Sequence, residues 1–176
     1  MMGEETFHPD TRALLAYGRA LAGAGDAPKK GGADHVLDRL LVLQRMKDGR
    51  LPIRTFGADL AALFGRDMRE HDFSRFFLAP DLALLRALID ASLAAGEPAI
   101  ARVTAETACG RRLGAEILLT PLKVDNSSDE RFLALFQPLG GEPFLNGRPI
   151  QLMRIGSLHP PAAKAPRGVR LVVVND

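Results

Sequence analysis

The chain has 176 residues, 47% of them hydrophobic and 25% charged, a balance that is ordinary for a globular protein. The formal net charge of +2 is too small to imply nucleic-acid binding, and no stretch approaches the roughly 18 apolar residues of a membrane span. A single cysteine, Cys109, excludes an intramolecular disulfide and a cysteine-based zinc site within one chain. The first eight residues lack a signal-peptide pattern, so we expect a cytoplasmic protein.

Residues 1–33 are predicted to form an N-terminal helix and a flexible linker. Pro9 and Asp10 suit the start of a helix, where a carboxylate meets free backbone N–H groups. Residues 24–33 are rich in Gly, Pro and Lys, which is typical of a linker. Helical spacing places an apolar stripe on one side of the helix, formed by Leu14, Leu15, Gly18 and Leu21.

Residues 34–140 are predicted to form the main domain, whose first half mixes strands and helices. Asp48-Gly49 is the strongest hairpin signal in the chain. Pro80 and Gly96 stand at the start and just after the end of the clearest helix. The predicted elements are strands 41–47 and 51–56, a short helix 58–64 stopped by Gly65, an irregular segment 66–77 and a long helix 80–95.

Three strand-like runs, 99–109, 112–124 and 131–139, complete the main domain as a meander. Their alternation predicts an antiparallel sheet that is covered mainly on one side. The N-terminal helix is the obvious cover for the other side, because its own apolar stripe needs a partner. The rest of the chain, 141–176, is predicted as a C-terminal extension. It offers a short strand at 150–155, and residues 170–174 are either a last strand or a sticky chain terminus. We count neither segment in the sheet.

Several runs resemble a PAS domain, most closely the stand-alone bacterial PAS family. They are Gly57-Ala58-Asp59-Leu60 with Leu63 to Met68, Gly110-Arg111-Arg112 with Glu116 to Leu122, Arg131 to Phe136, and Asn146 to Ile150. The resemblance implies an α+β fold with a five-stranded antiparallel sheet and helices on one face. It also implies a sensory or protein-interaction role without catalysis.

The resemblance bears on cofactors and ligands as well. Haem-binding PAS domains use a histidine on the long helix, and residues 80–95 contain none; light-sensing flavin PAS domains use a cysteine where this chain has Arg66-Asp67-Met68-Arg69. We therefore expect neither cofactor. PAS folds can hold a small ligand inside, although a filled core is the alternative because apolar stripes most often mean packing. The candidate lining residues are Leu63, Phe64, Phe73, Phe76, Phe77, Leu85, Ile89, Val103, Ile117 and Leu119.

The sequence thus predicts a non-catalytic regulatory module that acts in bacterial signalling through a partner protein. A homodimer is expected, with the N-terminal stripe against the open sheet face. A small α+β barrel enzyme, an isomerase or hydrolase, is the alternative, and a purely structural adaptor is another. The enzyme would need a buried carboxylate or histidine. Glu106 and Glu116 are the candidates, yet both alternate with the apolar face and are expected to point outward. No metal site is expected, because the four histidines are far apart in the sequence.

Overall fold

The computed structural model describes residues 6–23, 34–123 and 129–162. The predicted linker and the strand at 170–174 lie outside these residues. The helices are α1 (Pro9–Leu21), α2 (Asp34–Leu37), α3 (Ala58–Phe64) and α4 (Ala79–Ala95), with short 3-10 turns at Phe73–Phe76 and Glu142–Leu145. The strands are β1 (Leu40–Arg45), β2 (Ile53–Phe56), β3 (Ala99–Thr107), β4 (Arg112–Leu122), β5 (Glu130–Pro138) and β6 (Ile150–His159).

The strands form one antiparallel sheet in the order β2-β1-β5-β4-β3-β6. The predicted α+β class is confirmed, but the prediction of five strands is wrong. The sixth strand, β6, comes from the predicted C-terminal extension and pairs with β3 from Ile100↔His159 to Thr107↔Ile150. Its sequence has only weak alternation, with Gly156 and Ser157 near its middle. The free edge of β3 therefore determines this strand more than its own pattern does.

One face of the sheet, which we call the inner face, is covered by α3, α4 and the first 3-10 turn. Helix α4 has a proline in its first turn and ends at Gly96, whose φ of 65° is left-handed. Such an end favours glycine, because a Cβ atom is strained at positive φ. Leu85, Leu88 and Ile89 of α4 are buried in the main core. The predicted long helix is confirmed to within one residue at its start.

The opposite face, which we call the outer face, is covered by α1, as the sequence predicts. Leu15 joins a second apolar cluster whose other buried members are Phe7, Val36, Ile100, Leu118 and Leu135. The helix lies close to the sheet, because a Cβ atom added at Gly18 would be 2.7 Å from Cγ of Pro98 and 2.9 Å from Oγ1 of Thr120. His8 caps this helix by accepting a hydrogen bond from the backbone N–H of Asp10. Asp10 itself occupies the first turn.

The close approach at Gly18 can be tested by substitution. Gly18→Leu should push α1 away from β4 and lower the free energy of unfolding by about 1 to 3 kcal/mol, because the added atoms have no space. Urea denaturation and hydrogen exchange of the α1 amides measure the two effects. Ala13→Leu is the matched control, because Ala13 is exposed on the same helix. Equal stability of the Gly18→Leu protein and the wild type would show that α1 is not held against the sheet as described.

Candidate functional site

The ten predicted cavity residues do come together, in the main core beneath the inner face. All are buried except Leu63, which is partly buried against the others. The ring centroid of Phe64 lies 5.0 Å from that of Phe76 and 5.5 Å from that of Phe136, both in edge-on arrangements. These side chains pack against one another. A ligand among them stays a prediction.

An open cleft of about 740 Å³ lies at the rim of this core. It is lined by residues 64–66, 68–72 and 75–76, by Arg50, and by residues 149–151 at the start of β6. Only Phe64 and Phe76 of the ten predicted residues take part. The cleft therefore joins the end of α3, the loop after it and the beginning of the sixth strand.

The loop wall of the cleft is attached to the β1–β2 hairpin by backbone hydrogen bonds. Ile53 donates its N–H to the carbonyl of His71 at 3.0 Å and accepts one from Glu70 at 2.7 Å. Leu51 donates its N–H to the Asp72 carboxylate at 2.9 Å and accepts the N–H of Phe73 at 2.9 Å. These bonds hold the loop in place, including Glu70 at a left-handed φ of 65°.

The opposite corner of the cleft depends on Gly65, the residue that ends α3. Its φ is 73°, and an added Cβ atom would lie 2.9 Å from Cβ of Pro149. The chain before β6 can approach the end of α3 because no side chain stands between them. Sequence reasoning predicted Gly65 as a helix stop but missed this contact, because it left β6 out of the sheet.

Two aspartates near the cleft pair with arginines that line it. Asp67 and Arg69 are 2.5 Å apart at Oδ2 and Nη2, and the bond from this guanidinium, followed by the backbone N–H of Arg69, lowers the pKa of the carboxyl group. Asp48 accepts hydrogen bonds from the backbone N–H and side chain of Arg50. These bonds likewise lower the Asp48 pKa. Both aspartates therefore stay ionised near neutral pH.

Glu116 corrects an expectation from the sequence. It lies on the outer face, as predicted, but it is fully buried instead of pointing to solvent. Its Oε1 accepts two hydrogen bonds from Arg102, each at 3.2 Å, and its Oε2 accepts the backbone N–H of His8 at 3.0 Å. The N-terminal segment 6–8 covers this carboxylate. No local pattern around Glu116 signals a cover that comes from so far along the chain.

The segment over Glu116 is held by more than one contact. The Arg102 guanidinium lies 4.9 Å from the Phe7 ring centroid and donates to the carbonyl of Thr6 at 2.5 Å. The His159 ring packs edge-on against Phe7, with centroids 4.9 Å apart.

Glu106, the other candidate carboxylate, is partly exposed and lies 3.4 Å from Arg112. Glu106 and Glu116 both lie outside the lining of the cleft.

The predicted dimer stripe is divided between two environments. Leu15 and Gly18 are buried within the chain, and Leu14 packs partly buried beside the same cluster. Leu21 has 54% of its surface exposed. The inner part of the stripe thus already covers the outer face of its own sheet. The dimer stays a prediction.

Cys109 lies exposed in the turn after β3. The hydroxyl group of Thr107, 3.3 Å from its sulfur, lowers the pKa of the thiol, with smaller contributions from Arg111.

Comparison with known proteins places the chain in a family. A family model described as a PAS domain matches residues 6–137, which include α1, the strands β1 to β4 and β5 up to its last residue but one. No curated protein matches the chain. In the part of the chain that the structure describes, no helix is long and apolar enough to cross a membrane.

The buried Glu116 carboxylate is predicted to stabilise the N-terminal cover, by which we mean residues 6–8 together with α1. Glu116→Leu should lower the free energy of unfolding by about 3 kcal/mol, because it leaves Arg102 and the His8 N–H without their acceptor. Glu106→Leu is the control and should cost less, since Glu106 is partly exposed and its pairs are longer. Urea denaturation measures both. Equal losses in the two variants would contradict a special role for the buried group.

The histidine against Phe7 is predicted to make stability depend on pH. Burial, followed by the nearby Arg102 charge, lowers the pKa of His159 from its ordinary value of about 6.5. The unfolded chain then binds more protons below that value, so stability falls as pH falls through and below about 6.5. Between pH 7 and 5, the free energy of unfolding of His159→Gln should fall less steeply than that of the wild type. Parallel curves in urea denaturation would contradict this expectation.

Proposed function

Because the chain belongs to the PAS domain family, we propose that it is a non-catalytic sensory and protein-interaction module. In this proposal it works in the cytoplasm in bacterial signalling and passes its state to a partner protein. The supporting observation is the docking of α1 and residues 6–8 on the outer face of the sheet. This cover is separate in sequence from the strands beneath it, so its release would expose an apolar surface for a partner.

The contacts of the cover suit a reversible interaction. The apolar part is small, with Leu15 and Phe7 against Ile100, Leu118 and Leu135. The polar part includes the Glu116 bonds, the bond from Arg102 to the Thr6 carbonyl and a pair between Arg39 and Asp10, 3.8 Å apart. The main core on the inner face does not include α1. Release of the helix would therefore leave the larger core in place.

A homodimer built from the same stripe requires exchange of the helix. Leu15 and Gly18 are already buried within the chain, so the outer face has room for one such helix. In the proposed dimer, α1 of each copy covers the sheet of the other. Residues 24–33 connect α1 to the main domain and could span at most about 35 Å if fully extended. This length limits how far an exchanged α1 can lie from its own sheet. Exchange of an identical element is a low-cost route to a dimer, because it reuses existing contacts.

Native mass spectrometry of protein purified from its own host tests the proposal. For the wild type we expect the mass of two chains or of a complex with another protein. The Leu14→Asp plus Leu21→Asp variant should be a monomer, because the added charges weaken the docking of α1 on the sheet. Arg12→Gln plus Ala13→Asp is the control, since it changes the net charge equally at exposed positions. A wild-type monomer with no bound protein would contradict the proposed mode of action. A dimer that survives Leu14→Asp plus Leu21→Asp would contradict the exchanged helix.

A further inference from the structure

We propose that the open cleft between the loop after α3 and the start of β6 binds an organic carboxylate through Arg66 and Arg75. Both side chains line the cleft and both are exposed. The cleft also lies within the volume range of small-molecule sites, about 300 to 1,000 Å³. This inference adds an input site to the module and does not depend on how the module contacts its partner.

The ion pairs around the cleft leave these two arginines available. Arg50 is paired with Asp48 at 2.7 Å and Arg69 with Asp67 at 2.5 Å. Among the residues that the structure describes, no carboxylate lies within ion-pair distance of Arg66 or Arg75. The Nε of Arg66 lies 3.5 Å from the sulfur of Met68, which is a weak hydrogen-bond acceptor.

The two carboxylates that line the cleft are already engaged elsewhere. Glu70 pairs with Arg54, which lies outside the lining. Asp72 accepts hydrogen bonds from the backbone N–H groups of Leu51 and Ser74 and from the Ser74 hydroxyl. Neither is therefore available to neutralise Arg66 or Arg75. Two arginines without a carboxylate partner in the described residues favour a ligand with one or two negative charges.

The rest of the cleft lining is partly polar, with His71 and Gln151, and partly apolar. The apolar part includes Phe64, Phe76 and Ile150, which are buried and line the cleft together with the arginines. Met68 and Pro149 extend this surface. A compact apolar body could rest there while its carboxylate meets an arginine. A guanidinium binds a carboxylate with two parallel N–H bonds, which gives a geometric preference for this anion.

Phenylacetate is a suitable probe, with neutral phenylacetamide as its isostere. In two-dimensional NMR, phenylacetate should shift the backbone amide signals of residues 65–72 and 150–151, and phenylacetamide should not. Arg66→Gln and Arg75→Gln should each weaken phenylacetate binding about tenfold, the equivalent of one charge-assisted hydrogen bond. Arg12→Gln is the matched control, because Arg12 is exposed on α1 at the outer face.

Several results would overturn the proposal. They are equal binding of phenylacetamide, unchanged binding by the Arg66→Gln plus Arg75→Gln protein, an equal loss in Arg12→Gln, or no signal shift at millimolar phenylacetate. Thermal unfolding of each variant should match the wild type, because both side chains are exposed. This control separates loss of binding from loss of fold.

The carboxylate could belong to a free acid or to an acidic side chain of a partner, and a second probe distinguishes these sources. A capped Glu-Phe-Asp tripeptide is compared with capped Gln-Phe-Asn. Tighter binding of the acidic tripeptide than of phenylacetate, with the same dependence on Arg66 and Arg75, indicates a peptide segment. Tighter binding of phenylacetate indicates a free acid. If the protein is monomeric and still binds phenylacetate, the exchanged dimer is contradicted and the carboxylate site is not. The two proposals can therefore be tested independently.

Discussion

Burial of the sheet on both faces is the constraint from which the rest of the architecture follows. Strand β4 shows it most clearly, because Ile117 and Leu119 face the main core while the alternating residues Glu116, Leu118 and Thr120 are buried on the other side. A strand that is buried on both faces can contain an ionised carboxylate only if a positively charged group and N–H donors lie within hydrogen-bond distance of it. Arg102 from β3 and the His8 N–H supply them. The N-terminal segment is thus part of the folded domain.

Strand β6 links the two faces of the molecule. Its first residues form part of the cleft beside Phe64 and Phe76, and its last residue, His159, contacts Phe7 of the N-terminal cover. Its middle lies near the start of α4, where the N–H of Ile155 donates to Asp81 at 3.3 Å. One continuous strand therefore contacts both the proposed ligand cleft and the proposed protein-interaction cover.

Local signals in the sequence accounted for most of the fold. The Gly65 and Gly96 stops, the Asp48-Gly49 turn and the alternation in 99–139 predicted α3, α4 and the strands β1 to β5 to within a few residues, because each depends on backbone preference or local periodicity. The predicted core residues also came together, because the apolar stripe of α4 and the apolar face of the sheet are buried by packing against each other. The place of β6 in the sheet was missed, because its pairing with β3 and the burial of Ile150 and Met153 depend on residues far away in the chain.

The candidate site was predicted less well, and the reason is physical. The ten inner-face residues follow from periodicity, but the cleft depends on contacts between distant parts of the chain, such as Gly65 with Pro149. The sequence by itself determined the α+β class, the PAS resemblance and the existence of a helix suited to cover the outer face. Only the tertiary structure decided that Glu116 is buried and that Arg66 and Arg75 lack carboxylate partners in the described part of the chain. Burial and ion pairing depend on which distant groups fill the space around a side chain, and no local pattern contains that information.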